Sequence, residues 1–251
     1  MKGKGLFSDA VRLGFEYSSI ALKRADESGA WINPINGERS SVESSVLGYF
    51  QVKGWRGYAG EGGLLLNLIK AMAFKTIPDS LRSTFVEAIF SQNAARLEDK
   101  FEVDFLLDNI ASASIETIRR NFSFLASNNP LKIKHSLDGA VHYSTNTNSM
   151  LSYFPLLEDW MFVELFNVAG NSLLHEVAKK FSVAPYDFRK GWPDITMWKG
   201  NELRFVEVKA PGDRISKSQR VILEEFAKPL RLDFALVEVE EETHCEQHKL
   251  D

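Results

Sequence analysis

Two acids and a lysine stand in a compact pattern in the last quarter of this chain. Pro193-Asp194 is followed, after twelve residues, by Glu207-Val208-Lys209. The stretch Leu203 to Lys209 (LRFVEVK) is rich in β-branched and aromatic residues and predicts a strand. Side chains alternate across a strand, so Phe205, Glu207 and Lys209 share one face and Val206 and Val208 the other. A carboxylate and an amine two residues apart on one face can converge on one water. Two carboxylates supply the oxygen ligands that Mg²⁺ or Mn²⁺ prefer. Such an ion acidifies water and stabilises the charge that builds when a phosphodiester is attacked. Lys209 would orient that water or neutralise a phosphate. A surface hairpin carrying a Glu–Lys pair has the same local pattern. The Pro-Asp pair, the strand register, the Gly212-Asp213 turn and the amphipathic helix after it set this stretch apart.

These groups need elements to position them. A short strand from Asp194 to Trp198, closed by the turn Lys199-Gly200-Asn201, makes a hairpin that brings Asp194 beside Glu207. A helix from Lys217 to Ala227 and a returning strand from Leu232 to Val239 follow. Far upstream, Gly54-Trp55-Arg56-Gly57-Tyr58-Ala59-Gly60-Glu61-Gly62-Gly63 precedes an apolar helix, Leu64 to Phe74. Its glycines let the backbone approach a neighbouring element closely. On the residues alone, Glu61 reads first as a first-turn acid favoured by the helix macrodipole.

The segments GWPDI and FVEVKAPGDR, with the helix start from Ser216 to Gln219, resemble the VRR-Nuc domain, a branch of the PD-(D/E)xK nuclease superfamily. The match runs over about Asn171 to Val239. The upstream glycine block is similar to the corresponding block of the Fanconi-associated nuclease family, which extends a looser resemblance to about Val42. The resemblance implies Glu61, Asp194 and Glu207 as metal ligands with the Val208 carbonyl, Lys209 as the catalytic lysine, and Gln219 supporting the site or contacting phosphate. It implies a restriction-endonuclease-like α/β (α+β) fold, a small mixed sheet flanked by helices. The cofactor would be Mg²⁺ or Mn²⁺ and the substrate DNA. Ala210 stands where the family usually has glycine. Larger members carry DNA-binding and helical-repeat domains, for which these residues leave no room. The resemblance therefore carries the chemistry and leaves two roles, of which the missing docking domains and the modest net charge slightly favour the second. One role is a structure-specific DNA-processing nuclease. The other is an antibacterial toxin of the type VI secretion kind, acting in the cytoplasm of a target cell without a classical signal peptide, with an immunity protein covering its cleft. A non-catalytic module that binds DNA or protein is the alternative to both.

The composition, 44% hydrophobic and 25% charged over 251 residues, is that of a soluble globular protein. A single cysteine, Cys245, excludes an internal disulfide framework. No apolar run reaches membrane-spanning length, and the N-terminus lacks the apolar core of a signal peptide. The net charge of −4 is unevenly spread. From Tyr186 to Arg231 ten Lys/Arg face seven Asp/Glu, whereas Leu232 to Asp251 holds seven acids and one lysine. The basic excess surrounds the acids. Arg189, Lys190, Arg214, Lys217 and Arg220 are candidate phosphate contacts, and Trp192, two residues from Asp194, is a candidate base contact. Each also reads as an ordinary surface or core residue.

Residues 1–150 read as a larger helical layer contributing one metal ligand, and 151–251 as the nuclease core with an acidic tail. Helices are expected over Leu6–Arg24, Ser41–Gln51, Leu81–Phe90, Lys100–Asn109 and Ile115–Phe124, then over Leu156–Val168 and Asn171–Phe181. Leu131 to Met150 reads as polar and irregular. His244-Cys245-Glu246-Gln247-His248 has ligand-like spacing but reads as a solvated tail.

Overall fold

A computed structural model describes residues 4–25, 29–76, 103–127, 131–137, 140–146, 149–185, 187–210 and 212–242. The helix expected over Leu81–Phe90 and the tail from His244 to His248 lie outside the described residues. Among the described residues, no helix is long and apolar enough to cross a membrane.

Helix α1 (Lys4–Leu13) leads into strand β1 (Glu16–Leu22). The two-residue strands β2 (Trp31–Ile32) and β3 (Arg39–Ser40) form a small ribbon. Helix α2 (Val42–Val52), strand β4 (Arg56–Ala59) and helix α3 (Gly63–Ala73) follow. Helices α4 (Val103–Ala111) and α5 (Ile115–Ala126) precede a hairpin of β5 (Leu131–Leu137) and β6 (Ala140–Asn146). Helix α6 (Asp159–Phe181) leads to β7 (Ile195–Lys199), β8 (Glu202–Lys209), helix α7 (Lys217–Ile222) and β9 (Asp233–Glu241).

The fold is mixed α/β. Five strands form one sheet in the order β1-β9-β8-β7-β4, with β1, β9 and β8 parallel and β8, β7 and β4 antiparallel. Helices cover both faces, which explains the near-continuous apolar runs in the central strands. Phe205, Trp198 and Leu236 pack with α1, α3, α6 and α7 on one face. Ile195, Met197, Val206, Val208 and Val237 pack with Trp31 and with Val46 and Leu47 of α2 on the other. Every residue of α3 is buried, as expected of a helix apolar on all sides.

The β7–β8 hairpin forms as expected. Lys199 pairs with Glu202 across the two-residue turn Gly200-Asn201. Helix α6 departs from helical geometry at Gly170 (φ 72°, ψ 157°), so the two expected segments meet there. Three expectations are corrected. The helix over Leu6–Arg24 ends at Leu13, because Gly14 takes φ 75° and stops it, and Glu16–Leu22 becomes an edge strand on β9. The N-terminal part is thus not purely helical: β1 and β4 complete the sheet. The stretch from Leu131 is a regular hairpin. Its Thr, Tyr, Val and Ile suit a strand, and backbone pairing outweighs the polar composition.

Candidate active site

Asp194 lies one residue before β7. The register Ile195↔Val206 carries it beside Glu207 on the neighbouring strand. Its Oδ2 accepts the Val208 N–H at 2.8 Å. Glu207 and Lys209 occupy the α7-facing side of β8 and are 1% and 6% exposed. Lys209 Nζ donates to Glu207 Oε1 at 2.7 Å and to Gln219 Oε1 at 3.1 Å. Gln219 Nε2 also donates to Glu207 Oε1. Gln219 belongs to the capping box of α7: Ser216 accepts its N–H, and Gln219 Oε1 accepts the Ser216 N–H at 2.8 Å. One side chain therefore ends the helix and fixes the Glu207–Lys209 pair.

Both carboxyls are hard to ionise. Burial, with the negative charge of Glu43 added, raises Asp194 to about 6 against the opposing pull of the Val208 N–H and Lys209. Burial, and then the neighbouring Asp194, raise Glu207 to about 8, although Lys209 pulls the other way. Glu207 Oε2 is buried with no hydrogen-bond partner among the described residues. With their protons released, Asp194, Glu207 and Glu43 would together outweigh Lys209 by two negative charges. Such a deficit, with an orphaned carboxylate oxygen inside it, fits a divalent cation with oxygen ligands.

The glycine block meets this site through the backbone. Gly60 N–H donates to the Asp194 carbonyl at 2.8 Å and Gly62 N–H to the Pro193 carbonyl at 3.2 Å. Glu61 Oε1 in turn accepts the Gly191 N–H at 2.9 Å. Gly191 has φ 86°, and a Cβ there would lie 2.4 Å from the Ser218 carbonyl carbon. Only glycine lets this turn pass under the start of α7. Residues 130 positions apart in sequence thereby form one wall. Glu61 itself is exposed. Among the described residues, no three His, Cys, Asp or Glu side chains already converge as an ion cage. Asp194 and Glu207 form the pair, and Glu43 and Glu61 border it.

Glu43, on the first turn of α2, escaped the sequence reading. The available signal was Ser41-Val42-Glu43-Ser44, which read only as a helix start. Trp192 is a correction: it is 1% exposed, donates Nε1–H to the Phe188 carbonyl at 2.6 Å and packs 4.8 Å from the Phe226 ring. It holds the wall from inside the core and is out of reach of a base. Lys190, Arg214 and Lys217 are exposed near the site, and Arg189 is half-buried. Arg220 is also half-buried and pairs with Asp9 at 3.2 Å, which commits much of its charge.

Both the chain's sequence and its fold are similar to known proteins. Residues 138–241 match the family described as VRR-NUC domain. The Fanconi-associated nuclease 1 homolog of Caenorhabditis elegans is 35% identical over 89 residues, covering 34% of this chain and 10% of the relative. Fanconi-associated nuclease 1 of Mus musculus is 25% identical over 218 residues, covering 80% of this chain and 19% of the relative. The chain therefore spans about a fifth or less of these relatives. A solved structure, paFAN1 bound to 2nt 5'flap DNA with gap, shares the fold with a TM-score of 0.59 at 16% identity, covering 92% of this chain and 38% of that chain.

Proposed function

We propose that this chain, which carries a VRR-NUC domain over residues 138–241, is a Mg²⁺- or Mn²⁺-dependent nuclease that hydrolyses DNA phosphodiester bonds. The observation that carries the reading is half-buried Asp194 beside buried Glu207, with its orphaned Glu207 oxygen, held against Lys209 and Gln219. Asp194, Glu207 and the Val208 carbonyl would hold the cation. Glu61 or Glu43 would complete the set by side-chain rotation. The cation would supply Lewis-acid activation of water and neutralise phosphate charge.

The remaining work falls to the chain's own residues. Glu207 and Gln219 keep Lys209 Nζ in one place, where it donates a hydrogen bond to the attacking water or to a phosphate oxygen. Because α7 is capped by the residue that grips Lys209, the amine stays aligned without further cost. Lys190, Arg214 and Lys217 offer exposed charge for the flanking phosphates. Their sequence-independent attraction offsets a net acidic protein only locally, which suits a substrate presented at one face.

Of the two roles the residues leave open, DNA processing is the one the relatives support. Flapped DNA is the substrate class to try first, since the solved neighbour is bound to 5'flap DNA. The test is cleavage of plasmid and flap DNA with Mg²⁺, Mn²⁺ or EDTA, using wild type, Glu207→Ala and Lys209→Ala. Cleavage in metal alone, lost in both variants, is expected. Metal-dependent cleavage that survives both substitutions would remove the site assignment.

A further inference from the structure

Beside the carboxylates the free edge of β4 forms the floor of a second cleft, of about 390 Å³. Leu47 and Gln51 of α2 form one wall, and Tyr153, Leu156 and Met161 the other. Its lining includes Gly60, bonded to the Asp194 carbonyl and adjacent to Glu61, and Ser44, adjacent to Glu43. One end of the cleft therefore lies against the backbone that carries Asp194. Among the described residues, none of its lining side chains is Asp, Glu, Lys or Arg. Nothing there attracts a phosphate, whereas the exposed cations Arg214 and Lys217 lie at the α7 end of the site.

The apolar groups are held in place while open to water. Tyr153 is 48% and Leu156 82% exposed. Leu156 has φ 68°, a left-handed conformation that is unfavourable for leucine. Strain of this kind persists only where surrounding contacts impose it, and it clusters at ligand sites. Those contacts are present. Tyr58 of β4 donates its hydroxyl to the Pro155 carbonyl at 3.0 Å. The Phe154 ring lies so close over Gly63 that a Cβ there would sit 2.2 Å from it.

We propose that this cleft is a nucleobase subsite. It takes an unpaired base of the substrate strand, next to the phosphate at Asp194 and Glu207, with Tyr153 as stacking platform and Leu156 as wedge. An uncharged aromatic slot that shares the Gly60 backbone with a phosphate-cleaving centre suits the neutral part of a nucleotide, and its neutrality separates it from the basic phosphate track. This inference rests on the nuclease reading above.

Single-stranded oligonucleotides carrying 2-aminopurine at successive positions test it by fluorescence in EDTA, where cleavage is not required. Wild type should quench one position selectively. Tyr153→Ala should abolish that quenching and weaken binding about tenfold. Leu156→Asn, which tolerates the same backbone conformation, should reduce it. Leu156 is largely exposed, so its variant should keep the wild-type melting temperature, and a melting scan of Tyr153→Ala separates lost stacking from lost folding. Flap DNA with an abasic nucleotide at the quenched position should be cut about tenfold less efficiently by wild type and no worse than normal flap by Tyr153→Ala. Absence of a selectively quenched position, or quenching unchanged in both variants, overturns the proposal. Equal affinity for abasic and normal strands would do the same and leave the cleft to a protein partner. Selective quenching without cleavage in Mg²⁺ or Mn²⁺ would remove the nuclease reading and keep the subsite. Cleavage without selective quenching would remove the subsite and keep the nuclease.

Discussion

Replacing Glu207 with glutamine should stabilise the metal-free protein at pH 8 and abolish cleavage. The carboxyl is raised from 4.5 to about 8, mainly because it is buried and then because Asp194 lies beside it. Its folded pKa lies above the unfolded value, so the fold binds this proton more tightly. That contribution is complete below about pH 4.5 and is lost as pH rises through about 8. At about 1.4 kcal/mol per pH unit, ionisation within the fold at pH 8 costs up to roughly 4 kcal/mol. Relaxation and water entry reduce such penalties, and about 2 kcal/mol is a working value. Glutamine keeps an oxygen for Lys209 and Gln219 and carries no charge. For a chain of this size 2 kcal/mol corresponds to about 4–8 °C in Tm. The assay is thermal unfolding in EDTA from pH 5 to 8.5. The variant should melt with wild type near pH 5 and pull ahead as pH rises. Millimolar Mg²⁺ or Mn²⁺ at pH 8 should raise wild type and close the gap, because the cation binds only the folded site. The variant should respond little. A difference independent of pH, or a variant less stable at pH 8, would refute the reasoning.

Glu43→Gln should lower the apparent pKa of Asp194, since the Glu43 charge helps raise it. It should also weaken metal binding about tenfold or more by calorimetry; unchanged affinity would remove Glu43 from the site. Gly191→Ala should cost about 2 kcal/mol or more, because the left-handed backbone and the 2.4 Å approach to Ser218 both oppose a side chain. A wild-type Tm would show that the wall can yield. Lys217→Ala and Arg214→Ala should each lower the salt slope of duplex DNA binding by about 0.9 with turnover kept. Arg220→Ala should leave the slope nearly unchanged, as its guanidinium already faces Asp9; the reverse ranking would redraw the phosphate track.

The placement of the pair was legible because it depends on short-range rules. Period-two alternation puts Glu207 and Lys209 on one face of β8, and the Gly200-Asn201 turn sets the register that delivers Asp194. The capping box of Ser216 and Gln219 is likewise written in adjacent residues. The first strand was hidden: Glu16–Leu22 is an edge strand only because β9, over two hundred residues later, pairs with it.

Sequence by itself therefore determined which residues could do chemistry and which of them share a strand face. Tertiary structure decided how charged they are and what surrounds them. The raised carboxyls of Asp194 and Glu207 come from burial, which depends on what packs over β8. Glu43 and Glu61 border the pair only because α2 and the Gly60–Gly63 turn close against it. Trp192, adjacent in sequence to the Pro-Asp pair, belongs to the core because Phe226 and the Phe188 carbonyl claim its ring. Periodicity is a property of neighbours along the chain. Desolvation and convergence are properties of neighbours in space, and only the packed fold defines those.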